Sequence, residues 1–282
     1  MNDKNDQPAK YDWAGEQGER WLVNVERLEA MLAPIGEALL ARANYKQGER
    51  VIDIGCGGGA STRAIARSVA PNGEVLGVDI SEQLTVYAAA QSQNDVCLSY
   101  QCADAATLEL AGEPFDRLHS RFGSMFFDDP HSAFANLHSL LKPGARIDLA
   151  VWAHPRDNAW MMEMMQVVRS HVEVPPAEPR APGPFAFEDL DYLREILTAG
   201  GFSDMTVEAY EGHQTIVDAD STPVDATRFV LSTFGVGQIV AEQDVATQAA
   251  VTTDMEAMFA RHFEPEAGVQ LRCKAWLVAA SA

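Results

Sequence analysis

The chain has 282 residues, of which 47% are apolar, so it can bury one large core or a core with a substantial cap. Lys and Arg number 21 against 41 Asp and Glu, and a net charge of −20 argues against nucleic acid and anionic membranes as partners. The polar start, the lack of a long apolar stretch and four cysteines without metal-ligand spacing predict a cytoplasmic protein with free thiols, no membrane insertion and no metal.

Helices and strands are predicted to alternate through the first half of the chain. The first forty or so residues have apolar positions at helical spacing, and Pro34 is expected to divide them into two helices. The strands predicted next are RVIDI, EVLGVDI, VCLSY, FDRLHS and ARIDLAVW, and the helices between them include STRAIARSVA, SEQLTVYAAAQSQ and DPHSAFANLHSLL. This alternation predicts an α/β fold with a doubly wound, mostly parallel sheet.

The pattern loosens after Trp152. The predicted elements are a methionine-rich helix, AWMMEMMQVVRS; a proline-rich loop, VEVPPAEPRAPGPF; a helix, EDLDYLREILTAGGF; a sixth strand, MTVEAY; several helices over 221–262; and a last strand, LRCKAWLVAAS. The sheet is therefore expected to have seven strands, and the helices to form a cap.

A glycine-rich loop, DIGCGGG, joins the first strand to the helix that follows it. Glycine allows a sharp turn and close approach of a ligand to the main chain. The spacing of Gly55, Gly57 and Ala60 also fits a dinucleotide-binding loop. Asp53 separates the two interpretations, because a carboxylate two residues before the first glycine would repel a pyrophosphate and attract an ammonium or sulfonium group. The alternative for Asp53 is an acid that only caps a turn.

Two more acids follow the next two strands. Asp79 ends the second strand, where its carboxylate can accept hydrogen bonds from both hydroxyls of a ribose, a feature shared with NAD-binding proteins. Asp104 follows the third strand and can accept from an adenine amine, or it can simply be a loop acid in water. Acids at the carboxyl ends of three successive strands lie where open α/β sheets bind ligands.

These segments resemble the class I S-adenosylmethionine-dependent methyltransferases, in particular the group similar to ubiquinone/menaquinone-biosynthesis methyltransferases. The resemblance covers roughly residues 12–152 and rests on VIDIGCGGG, VDIS, CADA, FDRLHSRFGSMFF and LLKPGARIDLAVW. It implies a Rossmann-like fold, S-adenosylmethionine as cofactor and S-adenosylhomocysteine as product. The implied division is an N-terminal helical lid over 1–45, a cofactor-binding core over 46–152, and cap helices with the last strands over 153–282.

The resemblance also implies the residues that bind the cofactor. Asp79 is expected to hold the ribose, Asp104 the adenine amine, and Arg121 to lie near the methyl group. The implied set is Asp53, Gly55, Cys56, Gly57, Asp79, Ile80, Asp104, Ala105, Ser120 and Arg121.

The proton acceptor is less well defined by the sequence. His154 follows the fifth strand and is the predicted catalytic base, although the family does not generally have histidine there, and some methyl transfers need no base. His119 lies inside the fourth strand and is expected to be a core residue. Asp128 and Asp129 precede Pro130 and are interpreted as a helix start rather than metal ligands.

The function expected from these residues is methyl transfer to a small, largely apolar metabolite, with the acceptor atom (O, N or C) left open. Apolar walls are expected from Phe122, Met125, Phe126 and Phe127, and from Met161, Met162, Met164 and Met165, which can equally be helix core. The alternatives are a non-catalytic sensor or scaffold that binds S-adenosylmethionine and an NAD-dependent oxidoreductase. A homodimer is left open.

Overall fold

The structure is a computed structural model that describes residues 11–93, 95 and 97–282. The helices are α1 (Glu16–Val23), α2 (Val25–Ala43), α3 (Ala60–Val69), α4 (Glu82–Ala90), α5 (Pro130–Ser139), α6 (Ala159–Arg169), α7 (Leu190–Ala199), α8 (Pro223–Thr233), α9 (Gly235–Ala241) and α10 (Val245–Ala260). The strands are β1 (Arg50–Ile54), β2 (Glu74–Asp79), β3 (Leu98–Cys102), β4 (Phe115–Arg121), β5 (Leu141–Trp152), β6 (Ser203–Val217), β7 (Phe263–Glu264) and β8 (Gly268–Ser281).

One sheet with the order β3-β2-β1-β4-β5-β8-β6 runs through the molecule, and the two-residue β7 pairs with β8. Strands β1 to β5 are parallel, whereas β8 is antiparallel to both β5 and β6. This confirms the predicted α/β fold with a mostly parallel seven-stranded path. We call the edge at which β1, β2 and β4 end the carboxyl edge.

The strand sequences explain their positions. Val51, Ile52 and Ile54 of β1 are buried, as expected for a central parallel strand covered on both faces. Helix starts are set by side-chain caps: the Ser81 hydroxyl accepts from the Leu84 N–H at 3.4 Å, and Asp129 accepts from the Ser132 N–H at 3.2 Å. The predicted helix start at Asp129 and Pro130 is therefore confirmed.

The prediction that Pro34 divides the N-terminal helices is wrong. The chain is helical on both sides of Pro34 within α2, and the break between α1 and α2 lies at Asn24. A proline inside a helix costs about 3 kcal/mol, but each fully buried large apolar side chain contributes roughly 1.5–3 kcal/mol. The helix is therefore maintained by its buried face, which includes Leu28, Leu32, Ile35 and Leu39.

The last strands are longer than the sequence pattern indicated. The predicted strand MTVEAY lies within the 15-residue β6, and the predicted strand ARIDLAVW is the second part of the 12-residue β5. The helices α8, α9 and α10 confirm the helical pieces predicted over 221–262. No helix within the described residues is long and apolar enough to span a membrane.

Candidate cofactor site and cap

The glycine loop after β1 turns at three glycines in the left-handed region: Gly55 has φ +67°, Gly57 φ +52° and Gly59 φ +77°. A Cβ on Gly55 would lie 2.6 Å from the Cα of Gly123, so glycine is needed where this loop meets the loop after β4. The buried Cys56 and its neighbour Gly55 both donate their N–H groups to the carbonyl of Val78, at 3.1 and 2.8 Å. The loop is therefore fixed against β2 and β4.

Ser120 holds the end of β4 against β1. Its hydroxyl donates to the carbonyl of Ile54 at 2.8 Å and accepts from the N–H of Ser124 at 3.1 Å. The residue is fully buried. Ser120 lies at the carboxyl edge, and its hydroxyl already forms two hydrogen bonds that position the loop after β4.

Asp79 organises the turn after β2. Its two carboxylate oxygens accept from the N–H of Gly57 at 2.8 Å and from the N–H of Ser81 at 2.9 Å. Burial raises the pKa of Asp79, while these backbone hydrogen bonds lower it. Each carboxylate oxygen has two lone pairs, so acceptor capacity for a ribose diol remains on both atoms.

Asp53 is the most deeply buried acid of the carboxyl edge, with 1% of its surface exposed. Burial raises its pKa to about 7. The Thr62 hydroxyl, which donates at 2.8 Å, and the positive charge of Arg121 act in the opposite direction. Glu29 and Asp79 raise the pKa of Asp53 further by charge repulsion. A carboxyl group in this position would be stabilised in its charged form by a cationic ligand.

Arg121 does not lie free at the end of β4. Its guanidinium group forms a hydrogen-bonded ion pair with the carboxylate of Glu29 on α2, and the two side chains are 10% and 18% exposed. Gly36, one helical face further along α2, leaves room for the Arg121 side chain. Sequence reasoning missed Glu29. The available signal was an acid seven residues before Gly36, which places both on the same face of one helix.

The predicted adenine contacts lie on a more open part of the site. Asp104 is exposed, and its carboxylate accepts from the N–H of Ala106 at 2.8 Å. Ala105 is buried, and its carbonyl accepts from the Asn136 amide at 3.1 Å. Ile80 leaves 44% of its surface exposed. An exposed apolar side chain beside a turn acid suits contact with the flat face of a base.

Helix α1 covers the glycine loop. A Cβ on the buried Gly18 would lie 2.7 Å from the Ser81 hydroxyl, and the Trp21 indole nitrogen would lie 3.9 Å from a Cβ on Gly57. Glu19 accepts from the Gln83 amide at 3.0 Å. The division of the chain with a lid over 1–45 stays a prediction: residues 1–10 lie outside the described part, α1 lies over the loop, and α2 packs into the main core.

Aromatic rings extend this cover. The rings of Trp13 and Trp21 lie 5.4 Å apart, and those of Trp13 and Phe126 lie 5.0 Å apart. Tyr11 packs on the other side of Phe126 at 5.2 Å. These edge-to-face contacts join the N-terminal segment to the loop after β4.

The two histidines of interest lie in different surroundings. His154 is exposed, and its Nδ1 accepts from the Arg156 N–H at 3.1 Å, capping the single 3-10 turn over Pro155–Asp157. His119 is fully buried, and its Nδ1 is 2.9 Å from the hydroxyl of Tyr45. Burial lowers the pKa of His119 to about 3, helped by Arg121 and Arg117, so its ring is neutral. His119 is a core residue, as expected.

A row of aromatic rings leads from the carboxyl edge into the cap. Phe122, at φ +65°, stacks on Trp152 with 4.2 Å between ring centres. Trp160 lies 5.1 Å from Trp152, and Phe234 lies 5.9 Å from Trp160. Phe229 ends the row, 5.7 Å from Phe234. The row is part of the main core and connects the carboxyl edge to α8.

The apolar residues predicted to line the site differ in their burial. Met125 and Met164 are buried in the main core. Met162 leaves 38% of its surface exposed. The methionine-rich helix α6 therefore contributes both to the core and to the surface of the cap. Within the described part of the chain, no group of three or more His, Cys, Asp or Glu side chains could hold a metal ion.

The sequence was compared with known families and proteins. Residues 51–144 match the family model described as a methyltransferase domain. This stretch includes β1, the glycine loop, Asp79, Asp104 and β4. The part of the chain that holds the glycine loop is therefore similar to a methyltransferase domain.

The relatives of this methyltransferase domain match part of the chain. An uncharacterised protein of Mycobacterium bovis is 32% identical over 125 residues, which are 44% of this chain and 44% of that protein. The malonyl-[acyl-carrier protein] O-methyltransferase of Hahella chejuensis is 30% identical over 120 residues, covering 43% of this chain and 42% of that enzyme. The matches thus cover less than half the length of these two relatives.

Solved structures agree with the fold of the methyltransferase domain and of much of the cap. The YcgJ protein of Bacillus subtilis superposes with a TM-score of 0.57 at 17% identity, over 87% of this chain and 97% of that one. A Haemonchus contortus phosphoethanolamine N-methyltransferase, solved with S-adenosylhomocysteine, gives a TM-score of 0.53 at 18% identity, over 92% of this chain and 57% of that one. At these identities the likeness concerns the fold.

Proposed function

We propose that the protein transfers a methyl group from S-adenosylmethionine to a small, largely apolar acceptor. The observation that carries this proposal is the charge at the carboxyl edge. Asp53, Asp79 and Glu29 are set against one cation, Arg121. An edge with more carboxylates than cations favours a ligand with ammonium and sulfonium groups, and it disfavours the pyrophosphate of NAD.

The residues present fit this cofactor. Gly57 has no Cβ, and a Cβ there would meet only the Trp21 indole nitrogen, at 3.9 Å, among the described residues within 4 Å. Asp79 retains lone pairs for the ribose hydroxyls, and the exposed Ile80 and Asp104 suit the face and the amine of adenine. When bound, S-adenosylmethionine supplies a methyl group that its sulfonium already activates.

The chain itself contributes position and exclusion of water. Helix α1 covers the glycine loop, and Trp13 and Phe126 close its outer side. The aromatic row that begins at Phe122 offers an apolar surface to the acceptor beside the carboxyl edge. Holding two reactants in the right geometry can remove about 7–11 kcal/mol of an activation barrier.

His154 remains the predicted proton acceptor. Because its Nδ1 accepts a backbone hydrogen bond, the neutral ring carries its proton on Nε2, and Nδ1 would take up the substrate proton only after leaving that bond. The test is turnover by His154→Gln: a large loss would support the base, and full turnover would remove it. A cytoplasmic location and a homodimer also stay predictions.

The proposed cofactor is tested by calorimetric titration with S-adenosylmethionine and, separately, with NAD. We expect S-adenosylmethionine alone to bind, and Asp79→Ala to weaken binding about 30-fold or more, since hydrogen bonds to a charged group contribute about 1.5–3 kcal/mol each. The matched control is Asp191→Ala on the exposed side of α7, which should bind as the wild type does. Absence of S-adenosylmethionine binding, or tighter binding of NAD, would overturn the proposal.

A second measurement separates an enzyme from a sensor that only binds the cofactor. Incubation with S-adenosylmethionine and a mixture of phenols, amines and active-methylene compounds is followed by the amount of S-adenosylhomocysteine formed. Formation that depends on the mixture supports transfer. Binding without any product would leave the sensor as the better interpretation.

A further inference from the structure

Gln214 on β6 has a side-chain amide that forms no hydrogen bond within the described part of the chain. It is fully buried, and neither its Oε1 nor its Nε2 has a hydrogen-bond partner among the described residues. A buried amide without partners is unfavourable, and such groups are uncommon in folded proteins. An unpaired buried amide therefore suggests a partner that is not part of the chain.

A second buried amide shows what a structural role looks like in the same protein. Asn158 is also fully buried. Its Nδ2 donates to the carbonyls of Ala153, His154 and Lys274 at 3.1–3.2 Å. Its Oδ1 accepts from the Trp160 indole and from the Lys274 N–H, at 3.1 and 3.0 Å. Asn158 is satisfied by the fold, whereas Gln214 is not.

Gln214 lies beyond the carboxyl edge, on the side of the cap. Strand β6 runs parallel to β5, because both are antiparallel to β8, and Trp152 is level with Tyr210 through Ala275. Gln214 is four residues further along β6, which is about 13 Å beyond that level at 3.3 Å per residue. The strand thus carries the amide past the end of β5 and into the cap.

The face of β6 that carries Gln214 is covered by helices. Side chains at alternate positions share a face, and Thr206 and Glu208 on that face both contact Arg42 of α2. Helix α8 also packs against β6 and buries Phe229. The other buried residues of α8 are Ala226, Thr227, Val230 and Thr233.

The same region meets the end of the aromatic row. Phe229 is the last ring of the row that starts at Phe122, and the guanidinium group of Arg27 on α2 lies 5.1 Å from its ring centre. The aromatic row therefore leads from the carboxyl edge to α8, a helix that packs against β6. A largely apolar molecule lying along this row would bring its far end to the amide.

We propose that Gln214 binds the polar end of the methyl acceptor, and that the acceptor is a neutral, largely apolar molecule carrying a hydroxyl group there. A primary amide offers one acceptor oxygen and two N–H donors, and a hydroxyl both donates and accepts. A charged group would cost more to bury beside this fully buried amide than a hydroxyl does. The inference rests on the proposed function, since it names the class of acceptor for that site.

The experiment compares Gln214→Leu with the matched variant Asn158→Leu by thermal unfolding. We expect Gln214→Leu to raise the unfolding midpoint of the free protein, because it removes an unpaired buried amide. Asn158→Leu should lower the midpoint, because it leaves several backbone groups without partners. A lowered midpoint for Gln214→Leu would show that the amide serves the fold, and would overturn the proposal.

The ligand arm uses phenol and toluene, which have nearly the same shape and differ in the hydroxyl. At equal concentrations, phenol should raise the wild-type midpoint more than toluene does. In Gln214→Leu the apparent Kd for phenol should weaken about tenfold, while that for toluene stays within about twofold. No stabilisation of the wild type by phenol, or the same preference in the variant, would overturn the proposal.

Calorimetry with S-adenosylmethionine on the same samples separates this inference from the proposed function. Normal cofactor binding together with no preference for phenol contradicts the role of Gln214 alone. A preference for phenol that depends on Gln214, without cofactor binding, contradicts the proposed function and leaves the hydroxyl site standing.

Discussion

Two groups of buried charges lie on the face of the sheet that α2 covers, and they balance their charges differently. In the first group, on β4 and β5, the fully buried Asp148 pairs with Arg117 and Arg146 at 2.5 Å each. Glu49 pairs with Arg117 at 3.3 Å. Two carboxylates therefore face two guanidinium groups, and the cluster is neutral.

At the carboxyl edge the balance is different. Glu29 forms an ion pair with Arg121, while Asp53 and Asp79 have no cationic partner among the described residues and rely on neutral donors. Burial raises the pKa of both unpaired acids. A neutral cluster serves the fold, whereas an excess of buried carboxylate is a cost that a cationic ligand can offset.

The largest expected effect comes from disrupting the neutral cluster around Asp148. Asp148→Asn removes the charge that Arg117 and Arg146 share, and uncompensated buried charge typically costs about 3–5 kcal/mol of unfolding free energy. Urea unfolding measures the loss, and S-adenosylmethionine affinity of the folded variant should stay unchanged. Asp116→Asn is the control, because its pair with Lys142 is partly exposed and should contribute less than about 1 kcal/mol. Equal losses in the two variants would contradict the assignment.

The second prediction concerns the unpaired acid at the carboxyl edge. The pKa of Asp53 is raised to about 7, so the fraction of charged carboxylate grows as the pH rises through 7. S-adenosylmethionine affinity should therefore increase by up to about tenfold between pH 6 and pH 8, and Asp53→Asn should bind more weakly with a flat profile. Calorimetry at several pH values provides the measurement. A sloping profile in Asp53→Asn would assign the dependence to another group.

The stability of the free protein should show the opposite trend. The folded-state pKa of Asp53 lies above the ordinary value of 3.8, so its contribution to stability is fully present below pH 3.8 and is lost as the pH rises through about 7. Urea unfolding of the wild type and of Asp53→Asn across this range should differ in slope with that sign. A variant that loses more stability than the wild type with rising pH would be evidence against a raised pKa.

The smallest expected effect sharpens the role of α1 as the cover of the carboxyl edge. Gly18→Ala would place a Cβ less than 3 Å from both the Trp13 carbonyl oxygen and the Ser81 hydroxyl, so α1 must shift against the segment before it and against the start of α4. We expect S-adenosylmethionine to dissociate roughly three- to tenfold faster, an overpacking cost of about 1 kcal/mol, measured by stopped-flow displacement. Gly235→Ala is the control, since its Cβ would approach only Gln238, at 4.0 Å, among the described residues. Identical rates for both variants would exclude a cover function.

The features of the molecule also differ in how far the sequence alone predicts them. The sequence predicts the glycine loop and the acids Asp53, Asp79 and Asp104, because each lies at the end of a predicted strand or soon after one. Glu29 was missed because its partner Arg121 lies 92 residues away. Pro34 misled the helix prediction, because the apolar face that keeps α2 continuous is stabilised by the sheet it packs against. The great length of β6 was missed for a similar reason, since its pairing with β8 is a contact between distant segments.

The sequence by itself determined the order of strands and helices and the turn at the glycine loop, because these depend on periodicity and on residues a few positions apart. Only the tertiary structure decided which buried charges are paired, that Ser120 and Arg121 are engaged within the fold, and that Gln214 is left without a partner. The physical reason is that the energy of a buried polar group depends on the partners that packing brings within hydrogen-bond distance.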